Sequence, residues 1–301
     1  MALTGAASLP PALLALIAAM LFGVSQHITR LGLPHGNARL GSMLSIASTA
    51  GMYWLLAPWL LHPSLWEGAW RWQFLAMFAM VGLISPGISL FLAFEGNRRM
   101  GPTLSGTLAA TAPLFATVAA MVVLAERPGA WQGLGTLTIV LGVMLLSWRG
   151  RAGAAASWPT WVLLLPLGAA ATRGIAQMST RFALGIEPAP FNGVLITFTV
   201  SLLLHLALTP MLGGMRMGAD RTLPGRGMAW FLLTGVLNGV AMLCVYSALH
   251  AGTVIVVSPL VSSFPLFTML FSLVFGIESL GWRVIVGVLL VVGGVAGVSG
   301  G

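Results

Sequence analysis

The chain has 301 residues, 58% hydrophobic and 7% charged, and its net charge of +8 comes from 14 basic residues, all arginine. A soluble domain of this length needs far more charge to cover its surface, and arginines scattered one to three at a time do not form the clustered patch of a nucleic-acid binder. The single cysteine, Cys244, excludes an internal disulfide and a thiolate metal cluster.

Ten apolar stretches follow one another, each read as a helix crossing a hydrocarbon core of ~30 Å. The first, 9–28, has no basic leader and is followed by Arg30, so it reads as a retained span; it ends with Gln26 and His27. The second covers 38–60. The third, 72–94, holds Pro86-Gly87 near its middle. The fourth, 101–124, sets Thr103, Thr107 and Thr111 on one helical face and carries Pro113 at its centre. The fifth covers 130–148. The sixth, 158–180, places Arg173 and Gln177 one turn apart. The seventh, 191–212, contains His205, and the eighth, 227–249, contains Asn238-Gly239 and Tyr246. The ninth, 253–276, carries Ser258 and Ser262 on one face together with Pro259 and Pro265, and the tenth covers 281–299. Trp59, Trp70, Trp72, Trp131, Trp148, Trp158, Trp161, Trp230 and Trp282 fall at stretch ends, where amphipathic rings sit at the headgroup level.

The second half repeats the first. At an offset of 152, Pro113-Leu114-Phe115 falls on Pro265-Leu266-Phe267, Glu126 on Glu278, Gly135 on Gly287 and Gly142-Val143 on Gly294-Val295. The same offset sets Pro86-Gly87 on Asn238-Gly239 and Phe94 on Tyr246. At an offset of 151, Gly23, Gln26, Thr29 and Arg30 fall on Gly174, Gln177, Thr180 and Arg181. A repeat of this length marks two copies of one structural unit, here 1–150 and 151–301. Five spans per half is an odd number, so the second copy enters the membrane inverted, an arrangement recurrent in secondary transporters.

These duplicated segments, Ala112-Pro113-Leu114-Phe115 leading to Leu124-Ala125-Glu126-Arg127-Pro128 and Phe264-Pro265-Leu266-Phe267 leading to Glu278, resemble the drug/metabolite transporter superfamily in its ten-span EamA-type branch. The resemblance implies an all-α membrane protein with a central cavity lined by spans 1, 3, 4, 6, 8 and 9. It also implies an exporter of amino acids, drugs or other metabolites in a bacterial-type inner membrane. Loops after the odd-numbered spans hold most of the arginines, which places both termini outside the cytoplasm; typical members of the family have them inside.

Pro86, Gly87, Gly239, Pro113 and Pro265 read as helix breaks or hinges near the midplane, because a mid-span proline frees a carbonyl that lipid cannot satisfy. Gln26, His27, Arg173, Gln177, Asn238, Tyr246, Thr111 and Ser262 are the candidate substrate-binding residues. An arginine at the depth of Arg173 needs a cavity or a partner. Glu126 and Glu278 read as structural caps at the ends of spans 4 and 9, paired with loop arginines. None of the six acids lies near mid-span, so a proton-antiport mechanism lacks its usual carboxylate. No nucleophile elbow, zinc-protease helix or paired intramembrane aspartate is present, which sets an intramembrane enzyme aside. The expected activity is alternating-access transport of a zwitterionic or anionic metabolite, with a lipid-headgroup flippase as the rival. The expected partners are that small-molecule substrate and membrane lipids, with no nucleic acid and no cofactor, and the expected state is a monomer.

Overall fold

The computed structural model describes residues 9–32, 38–60, 72–100, 105, 108–147, 159–211, 225–274 and 281–300. All regular structure among them is helical. In chain order the helices are α1 (Pro11–Gly32), α2 (Ala38–Leu60), α3 (Trp72–Gly82), α4 (Ser89–Met100), α5 (Ala112–Val123), α6 (Ala130–Ser147), α7 (Leu164–Ile186), α8 (Pro190–Met211), α9 (Gly225–Ala251), α10 (Val254–Ser262), α11 (Phe264–Val274) and α12 (Trp282–Gly300). A wide turn, Leu83–Ile88, joins α3 to α4, and a short 3-10 turn, Thr160–Leu163, leads into α7.

Among the described residues, seven stretches are long and apolar enough to cross a membrane: Pro11–Thr29, Leu40–Leu60, Trp72–Ala93, Pro190–Leu208, Gly227–Ala251, Val254–Val274 and Trp282–Gly300. Within the described residues, the fourth and fifth of the ten sequence spans give shorter apolar helices, Ala112–Val123 and Ala130–Leu146. The sixth is α7, whose 23 residues give ~34 Å of helix; Arg173, Gln177 and Arg181 lower its apolar character. Among the described residues, seven of the ten stretches read from hydropathy are full apolar spans, and the fourth, fifth and sixth are shorter or more polar there.

Three spans are interrupted. In the third, Ser85 is extended (φ −150°, ψ 123°) ahead of Pro86, as proline disfavours helical backbone in the residue before it. The fourth and ninth share one device. Thr111 and Ser263, equivalent at the offset of 152, each donate from N–H to a carbonyl three residues back, Leu108 at 3.1 Å and Leu260 at 3.2 Å. Each hydroxyl donates to that same carbonyl, at 2.7 and 2.6 Å. Pro113 and Pro265 follow in the first turn of α5 and α11, where a missing N–H costs nothing. They start helices rather than kink them.

The eighth span behaves differently. Asn238-Gly239 reads as a break, yet α9 runs through it from Gly225 to Ala251. Hydroxyls of α2 bind carbonyls along α9: Ser48 to Leu232 at 2.8 Å, Thr49 to Gly235 at 2.7 Å and Tyr53 to Gly239 at 2.9 Å. Gly235 and Gly239 are therefore sites of close helix approach. A Cβ on Gly235 would collide with the Ser45 carbonyl oxygen, and one on Gly239 would lie 2.5 Å from the Met52 methyl.

Small residues govern the packing because lipid tails supply no hydrophobic drive for helix association. The contacts exchange between the halves. A Cβ on Gly23 of α1 would meet Phe267 and Thr268; one on Gly174 of α7, its equivalent, would meet Phe115 and Ala116. A Cβ on Gly135 of α6 would lie 2.7 Å from the Gly294 carbonyl oxygen of α12, and one on Gly142 would lie 2.9 Å from that of Gly287. The offset of 152 carries each contact onto the other with its partners swapped.

The end of α5 holds one strained residue. Ala125 has φ 54°, while Glu126 N–H reaches back to the Ala120 carbonyl at 3.3 Å. Left-handed backbone costs an alanine about 1 kcal/mol and a glycine almost nothing. Ala125→Gly is expected to raise the thermal unfolding midpoint of the purified protein by a few degrees; an unchanged or lower midpoint contradicts this account of the turn.

Candidate functional site

The site begins with which way α7 faces. Leu164, Ile175 and Phe182 on one side of it are exposed, while Pro166, Ala169, Ala170, Thr180 and Leu184 on the other are buried. Arg173 lies at the centre of the buried side, with Gln177 one turn on. Arg173 therefore sits on the protein-facing side of α7, which argues against snorkelling to the headgroups. Gly174 beside it packs on Phe115 and Ala116 of α5.

Arg173 is embedded among protein atoms yet keeps part of its surface accessible. Among the described residues it has no hydrogen-bond or ion-pair partner. Gln177 Oε1 is buried and likewise unbonded. Burying unpaired polar groups is costly, so this sector of α7 is incomplete as it stands.

The matching sector of α1 has a different chemistry. Phe22 takes the place of Arg173 and meets Phe264 edge to face, with ring centroids 6.5 Å apart. Gln26, equivalent to Gln177, lies on the same inward side but is exposed. Phe22 and Gln26 sit between Ser25, bound to α9 through Asn238, and Gly23, packed on α11.

The two ends of the bundle differ. Call one the Pro11 end: Gly252, just past α9, lies against Pro11. There Glu126 Oε1 and Oε2 accept the N–H groups of Val254 and Ile255, both at 3.2 Å. Glu126 thus caps the start of α10 in the other half, rather than its own span or a loop arginine. Arg181 donates to the His250 carbonyl at 3.0 Å at the same end. At the opposite, Gly32 end, the Arg99 guanidinium lies 4.7 Å from the Trp161 ring centroid and also binds Glu95 at 2.5 Å.

The other candidates are distributed as follows. His27 lines a shallow recess of about 260 Å³ with Val24, Ile28, Leu31 and Phe271, away from Arg173's sector. Asn238 is committed to helix packing, accepting from Ser25 at 2.7 Å and donating to Ser45 at 3.5 Å. Tyr246 is a core residue, 3.0 Å from the Thr197 hydroxyl and packed on Phe78. Thr111 is spent on its own turn. Ser262 is half-buried. Pro86 is half-buried, and a Cβ on Gly87 would press on the Gly82 carbonyl and Leu204, both at 2.8 Å. Thr103, Thr107 and Glu278 lie outside the described residues. Sequence reasoning missed Ser263, the true equivalent of Thr111. It also gave Ser258 no distinct role, although its hydroxyl is buried without a hydrogen bond.

The sequence model of the EamA-like transporter family matches the chain twice, over residues 9–148 and 160–300. The chain belongs to the EamA-like transporter family. This EamA-like protein is accordingly a multi-pass membrane transporter of the drug/metabolite transporter superfamily. No curated protein matches it in sequence. A solved crystal structure is similar in fold over 95% of this chain and 95% of its own, with a TM-score of 0.76 and 17% identity. At that identity the likeness bears on the fold alone.

Proposed function

We infer that the protein is a secondary transporter that exchanges or exports a small organic solute by alternating access. It would act as a monomer of ten spans in two inverted five-helix halves, 1–150 and 151–301, in a bacterial-type inner membrane. The observation that carries this reading is the unequal exposure of two equivalent glutamines. Gln26 is exposed on the inward side of α1, whereas the Oε1 of Gln177 is buried on the inward side of α7. Equivalent halves that differ in this way suit a cavity open at the Gly32 end and sealed at the Pro11 end. The seal would be the Glu126 cap and the Arg181 bond. Exchanging the conformations of the halves would reverse the access.

The packing swaps at Gly23 and Gly174, and at Gly135 and Gly142, support the inversion. Gln26, Arg173, Gln177 and Ser262 border the path in this reading, and the wide turn at Pro86-Gly87 is its hinge. The substrate-facing groups are neutral amides and hydroxyls, aromatic rings and one cation, which suits a solute more than a bulky lipid.

Proteoliposome exchange tests this against the flippase. Vesicles holding the protein should exchange labelled small metabolites at rates above empty vesicles, while fluorescent phospholipid crosses no faster than in empty ones. Gln177→Trp should cut solute exchange at least tenfold. Val118→Trp, on a 59% exposed position, should leave it intact. Lipid crossing without solute exchange would favour the flippase, and loss of neither activity in Gln177→Trp would remove α7 from the path.

A further inference from the structure

Resting on the transporter reading, we propose that Arg173 and Gln177 form an anion subsite selecting a substrate with a carboxylate or phosphate group and no ammonium group. Arg173 presents a planar fork of donors suited to two anionic oxygens at once. Gln177, one turn away on the same inward side, adds an amide whose Oε1 has no hydrogen bond. Its amide can be turned to offer N–H donors to the same anion, since the two ends of a glutamine amide are interchangeable in such an assignment.

The ammonium of a zwitterion finds nothing comparable among the described residues. Of the six acids in the chain, Glu126 is spent on the start of α10 and Glu95 on Arg99. Glu187 lies beyond the last turn of α7. Glu67, Asp220 and Glu278 lie outside the apolar stretches in sequence. The first half adds no second charge, because Phe22 stands where α7 has Arg173 and faces Phe264. Among the described residues the interior is therefore electrically one-sided: a cation on the α7 side, aromatic rings on the α1 side. A guanidinium with no partner among the described residues repels a substrate ammonium as strongly as it attracts the carboxylate at equal distance. The apolar remainder of the substrate rests toward Phe22 and Phe264.

Charge-selective thiol labelling reads this before any substrate is identified. In a Gln177→Cys, Cys244→Ala protein, the labelling rates of an anionic and a cationic methanethiosulfonate reagent are each divided by the rate with a free thiol. The anionic reagent should be favoured about tenfold or more, the scale of one charge-assisted hydrogen bond. Adding Arg173→Gln should bring the two to parity. Equal or cationic preference with Arg173 present overturns the subsite, as does an introduced thiol at position 177 that neither reagent reaches while Gln26→Cys reacts.

Protection of the thiol at position 177 then identifies the ligand. Benzoate and phenyl phosphate should slow labelling, while phenylalanine and phenethylamine should protect at least tenfold less well. Protection by phosphatidylglycerol vesicles but by neither soluble anion would assign the anion to a lipid headgroup and contradict a solute substrate. Charge preference without any solute exchange would retain the subsite and sink the transporter reading. Exchange without charge preference would do the reverse.

Discussion

Glu126→Ala is expected to destabilise the protein by about 2 to 4 kcal/mol, the loss of two hydrogen bonds from backbone N–H to a charged acceptor. The first N–H groups of a helix have no partner within it, and the helix dipole adds to the attraction for a carboxylate there. Val254 and Ile255 each give their N–H to one Glu126 oxygen, so truncation strands both donors at once. Glu126→Gln keeps one good acceptor and should lose about half as much. Because this cap joins the end of α5 to the start of α10, its removal should also speed labelling of a thiol introduced by Gln177→Cys. Denaturant titration of the purified variants measures the first effect. An alanine variant as stable as the parent, with unchanged labelling, would show that the cap closes nothing.

The second large effect is expected where α6 crosses α12. A Cβ on Gly294 would sit 2.7 Å from the Gly135 carbonyl oxygen and 2.9 Å from the Ile139 nitrogen; one on Gly142 would sit 2.9 Å from the Gly287 carbonyl oxygen and 2.9 Å from the Val291 nitrogen. Side-chain carbons of Ile139 and Val291 also lie at 2.7 Å, but the backbone atoms among the obstacles cannot rotate aside as a side chain can. Gly294→Val and Gly142→Val should each cost about 3 kcal/mol, at the upper end for overpacked cores. They should agree within about 1 kcal/mol, because the offset of 152 exchanges their environments. Gly293→Val is the control: nothing lies within 4 Å of its would-be Cβ, so its stability should stay within about 0.5 kcal/mol of the parent. Widely unequal costs at 142 and 294 would contradict the exchange of contacts between the halves.

Much of this architecture is legible in the sequence, because a duplicated gene leaves its packing contacts in register. Gly135 and Gly287, or Pro113 and Pro265, announce themselves by identity at a fixed spacing. What each repeated residue touches is not legible. Glu126 sits at the end of its own span, so a local cap is the natural reading, and only folding brings α10 of the other half to it. Asn238-Gly239 fails as a break for a related reason. The dipeptide has turn chemistry, yet α2 supplies hydroxyls to α9 and two glycines let the helices approach closely. Hydropathy alone places Arg173 deep in a span but leaves its direction open. The burial pattern of its neighbours decides that, with Ala169, Ala170 and Thr180 inside and Ile175 and Phe182 outside. Thr111 and Tyr246 are attractive candidates as polar groups in apolar helices, and both have local or core partners that satisfy them.

Alternating access requires the two equivalent glutamines to face one path from opposite ends of the bundle. Single cysteines, Gln26→Cys and Gln177→Cys, each in a Cys244→Ala background and in sealed vesicles of one orientation, test this most directly. A membrane-impermeant thiol reagent added on one side should modify the thiol at position 26, and the same reagent added on the other side should modify the thiol at position 177. Raising the rate at one position, as by Glu126→Ala for position 177, should lower it at the other. Modification of both positions from the same side, or from both sides simultaneously, would contradict alternating access.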